Sequence, residues 1–354
     1  MASLSPSTVI SGSADSHAPG GRERFSAEEL ACVLSHYDIG IIESVVEYPR
    51  GSRKAPKLLI KSRNGTWLLK RRARGRDDPF KVAFCHALQM HLAQQQFPLP
   101  HLQGTRDENN SMLQYNGAVY ELFEYIPGQP YPQTLEATFD AGRVLGLYHK
   151  LLEKFEAQWQ PPTGSYHRAA AVEKGLGTIR KRLPHSAAVC EFLIESYRHA
   201  ADSADSIGLS DWPRQIVHSD WHPGNMLFRE NHIVAVIDYD SARLLPRIID
   251  VANGALQFSI LGGDENVQGW PDYLDETRFK RFLRGYDQVL LLSQAELQTM
   301  PWLMIEALIA EAAFPIAANG VFGRIEGGAF LSMVQRKVVW LQQHAQRLVE
   351  LVEA

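Results

Sequence analysis

The spacing of apolar residues divides the chain into a strand-rich first third and a helix-rich remainder. Residues 41–48 are dominated by β-branched side chains, and the run stops at Pro49-Arg50-Gly51-Ser52. Two further apolar runs, 57–61 and 66–71, flank Arg63-Asn64-Gly65, a pattern that predicts a hairpin. Residues 79–96 carry Phe80, Ala83, Phe84, Ala87, Leu88 and Leu92 at helical spacing. Two more strands are expected on either side of Asn116-Gly117, the second over 118–125. The cluster Pro127-Gly128-Gln129-Pro130 ends that strand and marks a boundary. Beyond it helical periods dominate, over 138–155, 187–204, 276–292, 294–313 and 330–352. The exception is 214–240, where two short apolar runs enclose a polar loop. At the other end, residues 1–24 are rich in Ser, Ala, Gly and Pro without an apolar period, which predicts a disordered tail. Ser26 with Glu29 then forms a capping box for a first helix. The expected organisation is a tail (1–24), a small sheet lobe (25–127) and a larger helical lobe (128–354), of α+β class.

Composition narrows the function. A 45% hydrophobic and 21% charged chain of 354 residues can bury a sizeable core, which excludes wholesale disorder. The 36 basic and 40 acidic residues give a net charge of −4, so neither nucleic acid nor an anionic membrane is expected as a partner. Cys32, Cys85 and Cys190 form no disulfide framework and no zinc cluster, and suit a reducing, cytoplasmic setting. The most apolar stretch, 300–322, is broken by Glu306 and Glu311 and carries Pro315 and Gly320, so it is not expected to span a membrane.

The chemistry is concentrated in residues 216–240. There His218-Ser219-Asp220-Trp221-His222-Pro223-Gly224-Asn225 precedes an apolar strand that ends in Ile237-Asp238-Tyr239-Asp240. A carboxylate at Asp220 can receive or orient a hydroxyl proton. The oxygens of Asn225 and Asp238 can hold Mg²⁺, which favours hard ligands and accompanies phosphates. Pro223-Gly224 turns the chain so that Asp220 and Asn225 face the same way.

The pattern His-x-Asp-x-x-x-x-Asn followed by Ile-Asp-x-Asp resembles the aminoglycoside phosphotransferase-like branch of the protein-kinase-like fold, which includes choline and homoserine kinases. The resemblance implies a two-lobed fold, with a small antiparallel-sheet lobe for nucleotide and a larger helical lobe for catalysis and substrate. It implies Asp220 as catalytic base and Asn225 and Asp238 as metal ligands, with ATP and Mg²⁺ as cofactors. His218 is then a brace for the loop. His222 is left with two roles, a substrate contact or packing, and Asp240 with two, touching the metal or bracing the loop. Asp250 matches a recurrent family Asp and is expected to start a helix.

In the small lobe, the same resemblance makes Lys70 the cation for the nucleotide phosphates. It places backbone around Gly51 and Ser52 over those phosphates and pairs the main chain of Glu124 and Ile126 with adenine. Gly142 is expected to allow close helix packing, and His149 to be structural. One feature departs from the family. The helix at 80–96 has no carboxylate to pair with Lys70; Cys85, His86 and Gln89 stand there instead, and Asp77 and Asp78 are the nearest replacements.

The expected function is ATP- and Mg²⁺-dependent transfer of a phosphoryl group to a hydroxyl of a small molecule, such as an amino alcohol, sugar or homoserine-like metabolite. The alternatives are an inactive kinase-like scaffold and an aminoglycoside-resistance enzyme. The latter would need an acidic pocket, for which Asp264, Glu265, Asp272, Asp275 and Glu276 are the candidates. The sequence does not give the oligomeric state.

Overall fold

A computed structural model describes residues 21–263 and 265–353. Within these the chain forms two compact units, one of residues up to 86 with 100–125, the other of 87–99 with 126 onward. One division falls between Tyr125 and Ile126, close to the expected boundary. The other lies inside a helix, after His86, and assigns 87–99 to the larger unit.

The first unit opens with α1 (Ala27–Ser35), whose capping box is formed as expected: Ser26 Oγ accepts from the Glu29 amide and the Glu29 carboxylate accepts from the Ser26 amide. Strands β1 (Ile42–Glu47), β2 (Lys57–Ser62), β3 (Gly65–Arg71), β4 (Leu113–Tyr115) and β5 (Ala118–Glu124) make one antiparallel sheet in the order β1-β2-β3-β5-β4. The β4–β5 hairpin turns on Asn116 and Gly117, both in the left-handed region that fits a two-residue turn. Leu30, Val33 and Tyr37 pack on Leu58, Ile60, Leu69, Tyr120 and Leu122 to form the core.

The expected tail lies outside the described residues as far as residue 20. Its last part is tied down, contrary to expectation. Arg22 donates to the carbonyls of Pro49 and Ser52, and Glu23 pairs with Arg71 at 3.0 Å.

Helix α2 (Pro79–Gln94) starts where expected but buries a different face. Phe80 is 73% exposed, whereas His86 and Gln89 are buried beside Val82, Phe84, Cys85 and Leu88. A stripe counted only from apolar residues misses polar side chains that have partners inside.

The second unit is mainly helical, with α3 (Leu135–Leu151), α4 (Ala170–Arg182), α5 (Ala187–Ser206), α6 (Ile248–Ser259), α7 (Glu276–Asp287), α8 (Gln294–Asn319) and α9 (Gly327–Glu353). The sequence pattern did not anticipate α4, and α8 continues through Pro315 instead of ending at 313. Helices α3 and α7 meet at two glycines. A Cβ on Gly142 would come within 1.8 Å of the Phe282 carbonyl oxygen, and one on Gly285 within 1.9 Å of that of Phe139. No larger residue fits at either position without separating the helices. By length and apolarity α8 could cross a membrane, yet 72% of its most apolar window is buried against α4, α5, α6 and α9. It is the core helix of this unit.

Two small ribbons carry the motifs, β6 (Gln215–Val217) with β9 (Arg243–Leu245) and β7 (Met226–Arg229) with β8 (His232–Val236).

Candidate active site

The polar loop between β6 and β7 is held by a chain of buried groups from three helices. Asp250 on α6 accepts from the backbone amides of His218 and Ser219, each at 2.6 Å. Its Oδ2 also meets His149 Nε2 of α3 at 3.3 Å, and His149 Nδ1 meets the Tyr286 hydroxyl of α7 at 2.9 Å. A carboxylate only accepts, so the His149 proton sits on Nε2 and Nδ1 accepts from Tyr286. Ser219 adopts a left-handed φ of 62°, which a non-glycine residue keeps only when its surroundings hold it there. The two short bonds to Asp250 do so. Asp250 stands in the first turn of α6, the helix start expected for it; it makes no side-chain cap there, where Arg247 is the N-cap, and its carboxylate clamps the loop.

His218 is fully buried, with its ring edge-on to Trp221 at 5.5 Å and against Tyr239 at 5.2 Å. Burial lowers its pKa, and neither ring nitrogen has a hydrogen-bond partner among the described residues. It is a neutral packing residue, in keeping with a brace.

Asp220 is fixed on both oxygens. Asn225 Nδ2 donates to Oδ2 at 2.8 Å and to the Asp220 carbonyl at 3.0 Å, while His222 Nε2 lies 3.5 Å from Oδ1. His222 Nδ1 accepts from the Gly224 amide at 3.0 Å, which places the imidazole proton on Nε2, facing Asp220. Burial alone would raise the Asp220 pKa. His222 and Asn225 outweigh it and leave the carboxyl below its ordinary value, so it is ionised at neutral pH. The same pairing raises the His222 pKa against the effect of burial. The side chain of Asp220 remains 40% exposed, so its carboxylate is accessible.

Asn225 and Asp238 lie at the same end of the β7–β8 ribbon. Met226 pairs with Val236, and the Ile237 amide donates to the Asn225 carbonyl at 2.9 Å, so Asp238 follows directly. Asp238 is exposed with a left-handed φ of 66° and heads the short turn 239–241 that contains Asp240. Asn225 has spent its amide nitrogen on Asp220, so its side-chain oxygen is the atom left for a cation. These are hard oxygen donors of the kind Mg²⁺ takes. Among the described residues no group of three His, Cys, Asp or Glu side chains forms a metal cage, so a cation here would also need phosphate oxygens.

In the first unit Lys70 has a carboxylate partner that the sequence reading missed. Glu121 on β5 is its direct cross-strand neighbour, 3.4 Å away. Glu121 is fully buried and also meets Arg72 and His86, each at 2.7 Å. Burial would raise its pKa, but Lys70, His86 and Arg72 together hold it well below the usual carboxylate range. Asp77 and Asp78 are engaged elsewhere, accepting from the amides of Gly75 and Phe80, and among the described residues no ion pair joins either to Lys70. The signal available in the sequence was a lone Glu within the apolar run 118–123.

The loop with Gly51 and Ser52 joins β1 to β2, and its carbonyls accept from Arg22. The Glu124 amide donates to the His101 carbonyl at 2.8 Å. Ile126 is the first residue of the second unit after β5. The acidic residues that an aminoglycoside acceptor would need are, among the described residues, engaged with other groups. Glu265, Asp272 and Glu276 pair with Arg324, Arg336 and Arg347, and Asp275 caps α7; Asp264 is outside the described residues. A cavity of about 660 Å³ in the second unit, lined by Phe139, Lys280, Arg284 and Leu351 among others, includes none of the motif residues.

Residues 46–292 match the profile of the phosphotransferase enzyme family. The chain belongs to that family. It is 26% identical over 62% of its length to a homoserine kinase of Zymomonas mobilis, spanning 65% of that protein, just under two thirds. It is 24% identical over 78% of its length to a homoserine kinase of Phenylobacterium zucineum, spanning 80% of it. In fold it is similar to an aminoglycoside phosphotransferase from Alicyclobacillus acidocaldarius (TM-score 0.68, 15% identity, 94% and 98% of the two chains). It is also similar to a microcompartment-associated aminopropanol kinase (TM-score 0.66, 12% identity, 91% and 98%). Both confirm the kinase-like architecture of a five-stranded antiparallel sheet followed by a mainly helical region.

Proposed function

We propose that this phosphotransferase uses ATP with Mg²⁺ and that Asp220 receives the proton of the acceptor hydroxyl. The observation that carries the reading is the state of Asp220: ionised, accessible and fixed on both oxygens by Asn225 and His222. Such a carboxylate can accept a hydrogen bond from an alcohol and hold its oxygen in line for transfer. Asn225 and Asp238 would hold the metal through oxygen, and Lys70, kept in place by Glu121, would neutralise phosphate charge. Backbone near Gly51 and Ser52 would cover the phosphates, and the main chain of Glu124 and Ile126 would pair with adenine. When bound, Mg·ATP supplies the phosphoryl group and a cation that offsets its charge. His222, 3.5 Å from Asp220 Oδ1, would hold that carboxylate in place.

The homoserine and aminopropanol kinases among the similar proteins support a small aliphatic alcohol as acceptor. The paired carboxylates at 265–276 remove the main sequence argument for an aminoglycoside. The test is titration of the protein with Mg·ATP, followed by ATP turnover over a panel of metabolite alcohols. Binding with turnover on at least one alcohol is expected, and failure to bind Mg·ATP would refute the reading.

A further inference from the structure

Arg22 belongs to no helix or strand, yet its guanidinium collects three carbonyls from the loop between β1 and β2. It donates to Pro49 at 2.6 Å, to Ser52 at 3.1 Å and to Gly51 at 3.4 Å. The same loop is held from a second side. Lys57 Nζ donates to the Arg50 carbonyl at 3.3 Å, and a Cβ on Gly51 would lie 2.6 Å from that nitrogen.

The two sides are the two faces of the sheet. Glu47 stands opposite Leu58 across β1 and β2, and Leu58 packs into the core with α1. Directly opposed residues share a face, so Glu47 is on the α1 side, with Arg22 4.0 Å from it. Glu23 agrees, because its partner Arg71 also meets Glu29 of α1. Lys57 precedes Leu58 and stands opposite Lys70 across β2 and β3, so both lysines are on the other face.

A planar trans peptide unit points its C=O and the N–H that follows in opposite directions. With the Pro49 and Gly51 carbonyls drawn to Arg22, the amides of Arg50 and Ser52 turn away from the α1 side, toward the face that carries Lys70. Among the described residues neither amide has an acceptor, and both residues are exposed. Backbone amides presented together on the side of a lysine suit an anion with several oxygens.

We propose that Arg22 is a positioning residue for the nucleotide: it draws the carbonyls of Pro49, Gly51 and Ser52 to one side and so presents the Arg50 and Ser52 amides to the phosphates of ATP on the other. The inference rests on the reading of this loop as the cover of the phosphates. Arginine suits the task because its planar fork carries five N–H donors, whereas the single ammonium of a lysine reaches fewer carbonyls.

The experiment is calorimetric titration of the full chain with Mg·ATP and with adenosine, which lacks phosphates, in the wild type, Arg22→Ala, Arg22→Lys, Glu23→Gln and Gly51→Val. Arg22→Ala should weaken Mg·ATP binding by about 10-fold, the worth of a charge-assisted hydrogen bond, and leave adenosine binding unaltered. Arg22→Lys should recover part of the loss. Glu23→Gln loosens the same segment from Arg71 without touching the loop carbonyls, and should bind both ligands as the wild type does. Gly51→Val reports on the loop by itself. Gly51 has a φ of 84°, which a β-branched residue does not keep, so the loop must rearrange, weakening Mg·ATP and sparing adenosine. The Arg22 inference is overturned if Arg22→Ala binds Mg·ATP normally, if it weakens adenosine to the same degree, or if Glu23→Gln has the same effect. If Gly51→Val weakens Mg·ATP while Arg22→Ala does not, only the Arg22 inference fails. If both variants bind Mg·ATP as the wild type does, the loop does not cover the phosphates and the reading beneath the inference fails with it.

Discussion

Lys70 and Glu121 stand opposite each other across β3 and β5, with their charged ends 3.4 Å apart, and Glu121 simultaneously takes in Arg72 and His86. The family pattern would supply this carboxylate from the helix after β3. Here a strand supplies it, and the helix contributes His86 instead. The register makes the exchange possible, because a directly opposed pair on adjacent strands brings the two side chains together with no other element involved.

Glu121→Ala should therefore do two things. It removes the carboxylate buried against Arg72, which should cost about 3–5 kcal/mol of stability, and it takes from Lys70 its cross-strand partner, raising the KM for ATP. Asp77→Asn and Asp78→Asn should leave the KM for ATP unchanged. Denaturant unfolding and ATP saturation curves on the three variants check this. A normal KM in a folded Glu121→Ala would show that Lys70 is held by something else.

The clamp on the loop between β6 and β7 predicts a different signature. Asp250→Asn presents an amide nitrogen to donors, so one of the bonds to His218 and Ser219 is lost and Ser219 can relax. Turnover should fall by about 10²-fold, the usual consequence of an ångström of misplacement, with the KM for ATP little changed. Steady-state kinetics beside a thermal melt separate this from general unfolding.

His218 should tolerate loss of its nitrogens. In a neutral, fully buried ring packed among aromatic side chains, His218→Phe conserves the shape, and the expected stability change is below about 1.5 kcal/mol. The pH–rate profile should keep its form. A profile that changed would give the imidazole a proton-handling role that its surroundings do not support.

A separate network supplies a stability test. His167 meets Glu306 of α8 at 2.8 Å and Asp205 of α5 at 3.2 Å. Burial would lower its pKa, but the two carboxylates outweigh this and raise it. A histidine with a raised folded-state pKa adds stability below its unfolded value near 6.5 and loses that contribution as pH rises through the folded value. The stability gap between wild type and His167→Asn should thus be larger at about pH 6 than at about pH 9 in urea unfolding. An equal gap at both would mean that the pair is not ionic.

Much of this arrangement could be read from the residues in order. The strand–helix–strand order, the hairpin at Asn116-Gly117 and the loop from His218 to Asp240 are local patterns, and local patterns survive in a linear sequence. What was hidden depends on residues far apart in the chain. Glu121 meets Lys70 through a register that no spacing encodes. Asp250 acts on amides about thirty residues before it, and its place at a helix start suggested a cap. In the sequence Glu306 and Glu311 are only interruptions of an apolar run, whereas the fold sets them beside His167 and Gln257. The buried face of α2 is wider than its apolar stripe for a related reason, since buried Glu121 gives His86 a partner inside.

The most direct test of the account is to separate nucleotide binding from transfer in Asp220→Asn. Calorimetric titration with Mg·ATP and single-turnover phosphate transfer to a proven acceptor are measured on the same preparation. Binding should stay within about twofold of wild type while transfer slows by about 10²–10⁴-fold, the contribution of a positioned proton acceptor. Transfer at the wild-type rate in Asp220→Asn would contradict the central claim.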